Sequence, residues 1–260
     1  MMDRAAFEAM CARAATREPA EGSIIKATVY GEWPIFVDER DKSLAHWLVT
    51  TGYWESWITL AIMNRIQPDW NCVDIGANFG YYSVLMAHKG ERVLAVDPSP
   101  LMVDLLGRTL EATGRNWGVS RVAAWNTDDE LLSLVTPEDF FGSATVMDGR
   151  PTSGTPCASM KIDTMVASWD RVDLIKIDAE GAEPEIWEGM QQTLRHNPIV
   201  VLEYSPSRYK DAAGFARTIE AAGYPLAVID PASRIVPSSV DALANMSEDL
   251  AMLWLERPRG

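Results

Sequence analysis

Residues 73–83 read V-D-I-G-A-N-F-G-Y-Y-S, and this stretch decides the fold. Residues 71–75 have the composition of a short buried strand. Gly76 and Gly80 interrupt it, and from 81–88 apolar residues recur at helical spacing. The pattern predicts a strand, a glycine-rich turn and a helix.

A turn of this kind lets a ligand approach the backbone closely. Glycine has no Cβ and adopts left-handed conformations freely, and the helix that follows offers unpaired N–H groups and the positive end of its dipole. The next predicted strand, 92–96, ends in Asp97, about twenty residues beyond Gly76, where a carboxylate in such folds accepts hydrogen bonds from ribose hydroxyls. The sequence therefore predicts a nucleoside-binding site at the ends of two adjacent strands.

The spacing of the glycines indicates which nucleoside cofactor is bound. A dinucleotide fold expects G-x-G-x-x-G, whereas this loop has G-x-x-x-G, with Asp74 before the first glycine and Asn78 inside the loop. Acidic and amide groups disfavour a diphosphate and suit a ligand that carries an ammonium group. S-adenosylmethionine has an ammonium group, a carboxylate and a ribose.

Two parts of the sequence resemble a known family. The segment D-I-G-A-N-F-G with the later V-D-P resembles the first two motifs of class I S-adenosylmethionine-dependent methyltransferases. Residues 174–190, L-I-K-I-D-A-E-G-A-E-P-E-I-W-E-G-M, are similar to the signature of the FkbM-type methyltransferases. Four blocks match over residues 52–205, and the K-I-D-x-E-G-A-E element is the specific one.

The resemblance implies an α/β fold with a doubly wound, seven-stranded, mostly parallel sheet that contains one antiparallel strand. Residues 1–68 would form an N-terminal extension of helices and a hairpin, packed on the core as a lid, and residues 69–260 would form the S-adenosylmethionine-binding methyltransferase domain. Within this fold we predict a third strand over Val119–Trp125, a long helix over Glu183–Arg195, an Asp163 that caps a short helix, and an irregular stretch over Asp230–Glu248.

The resemblance also assigns roles to single residues. Glu55 belongs to the block G-Y-W-E before the first core strand, and Ala124 lies where the family's chain passes the adenine; a helix-surface carboxylate and an ordinary turn are the alternative interpretations. The candidates for binding the cofactor are Glu55, Asp74, Gly76, Ala77, Asn78, Gly80, Asp97 and Ala124.

Methyl transfer to a hydroxyl needs a group that accepts the hydroxyl proton. Asp178, at the end of the fourth core strand, is the first candidate, Glu180 is the second and Glu203 is the third. They would equally serve as hydrogen-bonding partners of the cofactor or the loop. Several acids at one edge would also suit a magnesium ion that binds a diol acceptor, although no histidine joins them. His46, in the extension, would reach the acceptor only if that segment is a lid.

Composition and charge limit the acceptor and the cellular location. The formal net charge is -14, which argues against a nucleic-acid substrate because phosphate backbones need clustered Lys and Arg. Three cysteines without metal spacing, no signal-peptide pattern near the start and no run of eighteen apolar residues indicate a cytoplasmic protein that does not enter the membrane. The aromatic extension is compatible with a homodimer.

We therefore expect O-methylation of a sugar or a secondary metabolite, with specificity set by the extension and by the region Gly149–Thr155. Two other functions remain open. An NAD-dependent oxidoreductase would share the strand, turn and helix but lacks its third glycine here. A catalytically inactive binding protein would keep the same fold without turnover.

Overall fold

Strands and helices alternate through most of the chain, as expected for an α/β protein. The computed structural model describes residues 2–147, 154–246 and 250–258. In chain order the strands are β1 (Arg17–Glu21), β2 (Ile24–Val29), β3 (Trp33–Asp38), β4 (Asn71–Ile75), β5 (Arg92–Val96), β6 (Trp117–Ser120), β7 (Ala123–Ala124), β8 (Leu131–Val135), β9 (Thr145–Met147), β10 (Thr155–Met160), β11 (Leu174–Ile177), β12 (Ile199–Tyr204), β13 (Ala227–Ile229), β14 (Ile235–Pro237) and β15 (Ala251–Leu255).

The helices begin and end largely at residues that favour such positions. The side chain of Ser99 accepts a hydrogen bond at the start of the fifth helix, and Gly114 ends that helix in a left-handed conformation. In chain order the helices are α1 (Arg4–Ala14), α2 (Leu44–Thr51), α3 (Ser56–Met63), α4 (Tyr81–Lys89), α5 (Pro100–Thr113), α6 (Ile162–Met165), α7 (Glu183–Glu188), α8 (Ala212–Ala221) and α9 (Val240–Ala244).

The largest sheet has eight strands in the order β14-β13-β15-β12-β11-β4-β5-β6. The strands from β12 to β6 are parallel to their neighbours, whereas β15 runs antiparallel to β12 and to β13, and β14 runs antiparallel to β13. The predicted mostly parallel α/β sheet is therefore present. The predicted number of seven strands is too low, because β14 forms within the stretch that we expected to be irregular.

Helices cover both faces of this sheet. Successive side chains of a strand point to opposite faces, and Leu174 lies in the core cluster beneath α4 and α5 while Ile175 lies in the cluster beneath α7 and α8. The same alternation places Cys72 and Val73 of β4 in different clusters. Both faces are apolar, as a parallel sheet covered on two sides requires.

The N-terminal segment contributes three helices and a small antiparallel sheet of β1, β2 and β3. The predicted helix and hairpin of this segment are both present, and β1 extends the hairpin by one strand. Strand β3 packs against α5, where the Thr109 hydroxyl accepts a hydrogen bond from the Phe36 N–H at 3.0 Å. Side chains of this segment share one core cluster with β4, α4 and α5.

A third sheet, with the order β7-β10-β8-β9, lies between the sixth and the eleventh strands in sequence. It corrects the prediction of a single strand over Val119–Trp125. Strand β6 ends at Ser120, and Ala123–Ala124 pairs instead with Ser159–Met160 of β10. The chain leaves the large sheet at its edge, where no further strand holds it. Residues 149–153 of the predicted loop Gly149–Thr155 lie outside the described residues, and Thr155 begins β10.

Two predictions about helix ends also need correction. The helix predicted over Glu183–Arg195 is two pieces: α7 ends at Glu188, and a separate 3-10 turn spans Thr193–His196. Between them the chain passes so close to Trp125 that a Cβ on Gly189 would lie 2.0 Å from the Trp125 carbonyl oxygen. Asp163 caps a different helical turn from the one expected: its carboxylate accepts hydrogen bonds from the N–H groups of Gln192 and Thr193 at 2.9 and 2.7 Å.

Across residues 2–147, 154–246 and 250–258, none of the helices has both the length and the apolar character needed to cross a lipid bilayer. The cytoplasmic location and the homodimer stay predictions.

Candidate active site

The glycine loop between β4 and α4 is packed against the end of β11. Gly76 has a φ of +70°, and a Cβ on it would lie 1.7 Å from the carbonyl oxygen of Asp178, so that no larger residue fits without moving the backbone. Gly80 has a φ of +91°, and its Cβ would lie 2.6 Å from a methyl carbon of Leu106. Close packing requires the first glycine, which brings the ends of two parallel strands together, whereas at the second it is the left-handed backbone that favours glycine.

Asp97 fixes the shape of this loop. One oxygen of its carboxylate accepts a hydrogen bond from the Asn78 N–H at 2.9 Å and the other accepts one from the Ser99 N–H at 2.8 Å. Asn78 takes a left-handed conformation with a φ of 52°, which an asparagine tolerates better than most residues. Burial raises the pKa of Asp97 to about 6, although both hydrogen bonds favour the carboxylate.

Asp74 lies beneath the loop and does not reach the ligand space. Its side chain is on the face of β4 that α4 covers, it is 1% exposed, and its carboxylate accepts a hydrogen bond from the Ser83 hydroxyl at 2.6 Å. Burial raises its pKa, and its second oxygen has no hydrogen-bond partner among the described residues. The expectation that Asp74 contacts the cofactor is corrected, because the residue belongs to the strand and supports the start of α4.

Two adjacent clefts open at the carboxyl ends of the parallel strands. The first lies between the glycine loop, the start of α5 and the third sheet. Gly76, Asn78, Asp97 and Ala124, four of the residues predicted to bind the cofactor, line this first cleft. Its apolar wall includes Met102, Val122 and Ile186. A nucleoside needs this combination of a polar group for the ribose and an apolar surface for the base.

The second cleft lies towards the N-terminal segment. Glu55, Ala77, Tyr82 and Glu203 line it. The residues shared by both clefts are Gly76, Asn78, Gly142, Asp178 and Glu180. Of the ten residues predicted to bind the cofactor or to act in catalysis, Asp74 and Gly80 line neither cleft. His46, a further candidate, is exposed on α2 and also lines neither cleft.

A buried lysine, which the sequence reasoning did not single out, lies between the acids. Lys176 is 2% exposed, its ammonium is 3.0 Å from the carboxylate of Asp178, and it lies 4.7 Å from the ring centre of Tyr82. Burial lowers the pKa of this ammonium, but Asp178 and Asp74 more than offset that effect, so that the pKa is raised and the lysine is charged. The signal in the sequence was a lysine inside the otherwise apolar strand L-I-K-I.

Three carboxylates meet beside this lysine. Oxygen atoms of Asp178, Glu180 and Glu203 all lie within 4.8 Å of one another. The guanidinium of Arg208 forms ion pairs with Glu180 and with Glu203, the latter at 3.0 Å. Arg208, which sequence reasoning also missed, therefore supplies positive charge that keeps these acids together.

Glu180 and Glu203 nevertheless hold their protons more strongly than free carboxyl groups do. Burial, followed by the charge of Asp178, raises the pKa of Glu180 to about 7 in spite of its pairing with Arg208. Burial, and then Asp178 and Glu180, also raises the pKa of Glu203. At neutral pH Glu180 is therefore partly protonated.

The loop that carries Asp178 and Glu180 is held by one buried acid. The carboxylate of Glu183, at the start of α7, accepts hydrogen bonds from the N–H groups of Ala179 and Gly181 at 2.8 and 3.0 Å. Glu180 has a φ of 54°, which is uncommon for a glutamate. The two hydrogen bonds hold the loop in this uncommon conformation. Glu180 then lies at the boundary between the two clefts.

Glu55 lies on the other side of the second cleft. The hydroxyl of Tyr82 donates a hydrogen bond to its carboxylate at 3.1 Å. Burial, and then the charge of Asp178, raises the pKa of Glu55 to about 7. Its backbone is left-handed, with a φ of 36°, at the position just before α3. Glu55 does not line the first cleft. It would therefore contact only a portion of the cofactor that extends from the first cleft into the second cleft.

A doubly wound sheet with a glycine loop after β4 and an acid after β5 agrees with the fold that the resemblance to class I S-adenosylmethionine-dependent methyltransferases implies. The structure is similar to that of the T. thermophilus 16S rRNA N2 G1207 methyltransferase, solved with AdoMet and guanosine, with a TM-score of 0.52 and 13% identity over 93% of this chain and 52% of that one. The present chain thus spans about half the length of that protein. At this identity the similarity shows the fold alone.

Two other solved structures are similar at lower scores. The TehB-like methyltransferase from Corynebacterium glutamicum has a TM-score of 0.49 and 13% identity over 84% of this chain and 98% of that one. TYW2 of M. jannaschii, in complex with AdoMet, has a TM-score of 0.49 and 12% identity over 93% and 90% of the two chains. No curated protein sequence matches the chain.

Residues 74–226, more than half of the chain, match the family described as the methyltransferase FkbM domain. The chain belongs to this family of methyltransferases, and its cofactor is S-adenosylmethionine.

Proposed function

We propose that the chain transfers a methyl group from S-adenosylmethionine to a hydroxyl oxygen of an uncharged small molecule, such as a sugar or a secondary metabolite. The observation that carries the proposal is the pair of clefts that meet at Asp178 and Glu180. One cleft has the surface that a nucleoside needs, the other is free for an acceptor, and two carboxylates lie where the clefts join.

The residues of the first cleft fit the cofactor. Asp97 would accept hydrogen bonds from the ribose hydroxyls, since each of its oxygens has a further lone pair, and the apolar wall with Ala124 would pack on the adenine. The backbone at Gly76 and Asn78 would lie against the methionine part. Glu55, from the second cleft, would reach its ammonium group.

When bound, S-adenosylmethionine supplies a methyl carbon that is activated by a sulfonium, so the protein has to position the acceptor and remove one proton. The acceptor oxygen forms a bond to the methyl carbon while the carbon–sulfur bond breaks, and the hydroxyl proton passes to a carboxylate. Asp178 is our first candidate for this base and Glu180 the second. Lys176 compensates the negative charge beside the acceptor.

The charge of the second cleft favours an uncharged or cationic acceptor over a phosphate. Four acids line it: Glu55, Asp178, Glu180 and Glu203. Among the described residues of its lining, Lys176 is the one basic side chain. With a net charge of -14, the chain also lacks the excess of basic residues that a nucleic-acid backbone requires. These observations support a small-molecule acceptor, although some structurally similar proteins act on RNA.

The proposal is tested with S-adenosylmethionine that carries a labelled methyl group. The protein is incubated with neutral hydroxyl compounds, with their phosphorylated counterparts and with total RNA. We expect label in the neutral compounds. Label in RNA alone, or in phosphorylated compounds alone, would refute the proposed acceptor class.

Once an acceptor is known, Asp178→Asn tests the base. We expect kcat to fall by about two orders of magnitude, the effect typical of losing a general base, while the affinity for S-adenosylhomocysteine changes little. Glu185→Gln, on α7 and outside both clefts, is the matched control. An unchanged kcat for Asp178→Asn would remove Asp178 from this role.

A further inference from the structure

The short connection between β8 and β9 of the third sheet lies over both clefts. Phe141, Gly142 and Ala144 line the first cleft, and Gly142 and Ser143 line the second. A Cβ on Gly142 would lie 3.1 Å from the side-chain nitrogen of Asn78, so this segment also contacts the glycine loop. We name residues 139–144 the roof segment.

One buried carboxylate of the N-terminal segment binds the roof segment. Asp41 is 1% exposed, and its Oδ2 accepts a hydrogen bond from the N–H of Phe141 at 2.8 Å. Its Oδ1 accepts hydrogen bonds from the N–H groups of Ser43 and Ala45 at 3.1 and 2.9 Å. The Ser43 hydroxyl lies 3.0 Å from each oxygen and donates to this carboxylate as well. Asp41 thus orders the start of α2, and its Oδ2 connects that start to the roof segment across 100 positions of the sequence.

A second connection lies beside the first. The Lys42 N–H donates a hydrogen bond to the carbonyl oxygen of Asp139 at 2.8 Å, and the two side chains form an exposed ion pair. Because an exposed ion pair contributes little and a buried charge-assisted hydrogen bond contributes more, Asp41 is the stronger of the two links.

We propose that Asp41 is a positioning residue, which holds the roof segment over the first cleft so that cofactor affinity depends on the N-terminal segment. The inference rests on the assignment of the first cleft to the cofactor. Asp41 lines neither cleft, but it binds Phe141, which lines the first cleft, and Ser43, which lines the second. Without the link, the roof segment has to be ordered when the cofactor binds, and this ordering weakens binding.

Asp41→Asn tests the proposal with little change in shape. An asparagine oxygen at the Oδ1 position still accepts from Ser43 and Ala45, but its NH₂ group at the Oδ2 position faces the N–H of Phe141, donor against donor. We expect the affinity for S-adenosylhomocysteine, measured by calorimetry, to fall about tenfold, which corresponds to about 1.4 kcal/mol.

Asp163→Asn is the matched control. Asp163 also accepts backbone hydrogen bonds from a distant segment, at Gln192 and Thr193, but it lines neither cleft. We expect a comparable loss of thermal stability with an unchanged affinity. An equal loss of affinity in both variants would show general destabilisation and overturn the proposal, as would an unchanged affinity in Asp41→Asn.

Hydrogen exchange gives a second test, in which the first measurement needs only the unmodified protein. We expect S-adenosylhomocysteine to slow exchange in the roof segment of the unmodified protein. We further expect exchange there to be faster in Asp41→Asn than in the unmodified protein when no ligand is present. Ligand binding without any protection of this segment would refute the proposal. If the unmodified protein does not bind S-adenosylhomocysteine at all, the cofactor assignment itself fails, which is a separate result.

Discussion

Replacing Gly76 by alanine would place a methyl group in the contact between the glycine loop and the end of β11. The added Cβ would lie 1.7 Å from the carbonyl oxygen of Asp178, in a residue whose φ is +70°. A left-handed conformation costs a non-glycine residue about 1–2 kcal/mol, and forcing an extra carbon into packed surroundings typically costs about 1–3 kcal/mol more. The free energy of unfolding should therefore fall by roughly 2–5 kcal/mol.

Cofactor affinity should fall as well, because the clash separates the two strand ends that form the clefts. We expect the dissociation constant of S-adenosylhomocysteine to rise by at least two orders of magnitude, measured by calorimetry. The melting temperature should fall by roughly 5–15 °C, since about 1 kcal/mol shifts a domain of this size by a few degrees.

Gly107→Ala is the control for this substitution. Gly107 lies within α5, and a Cβ on it would meet nothing within 4 Å. Alanine favours a helix over glycine, so we expect stability to be unchanged or raised by up to about 1 kcal/mol, with normal affinity. If Gly76→Ala kept wild-type affinity and stability, the close contact between loop and strand would not hold the site together.

Two further substitutions test the charges of the second cleft. Burial raises the pKa of Glu55 from 4.5 to about 7. The buried side chain is protonated at low pH and does not lower the free energy of unfolding there. As pH rises through about 7 the carboxyl ionises in its buried position, and the free energy of unfolding falls. At pH 8 the free energy of unfolding of Glu55→Gln, measured with urea, should therefore exceed that of the wild type by up to about 3 kcal/mol, and the difference should be much smaller at pH 5. A pH-independent difference would contradict the burial argument. Lys176→Met leaves Asp178 and Asp74 without their shared cation. The free energy of unfolding should fall by about 3–5 kcal/mol at pH 8, and by less at pH 5. An equal free energy of unfolding in variant and wild type would mean that the lysine is not charged.

The sequence predicted those elements whose signals are local. Ser99 and Gly114 mark the ends of α5, and both act through their own backbone neighbourhood. The glycine loop was predictable for the same reason, because two glycines between a strand and a helix favour one kind of turn. Asp97 was placed correctly at the end of β5, and it lines the first cleft.

Other features depend on which segments meet in the folded chain. Asp74 and Asp97 both belong to motifs that suggest ligand contacts, but Asp74 faces Ser83 beneath α4, which motif position does not reveal. Arg208 joins the acids only because the loop after β12 lies beside the loop after β11. The single strand predicted over Val119–Trp125 divides because Ala123 pairs with β10, whose position no local pattern predicts.

The measurement that tests the central assignment most directly is calorimetric titration with S-adenosylmethionine, S-adenosylhomocysteine and NADH. A cofactor of this fold should bind through Asp97, so we expect micromolar binding of the first two compounds, weakened in Asp97→Asn, and no binding of NADH. Folded protein that binds NADH, or none of the three, would contradict the assignment of the chain as an S-adenosylmethionine-dependent methyltransferase.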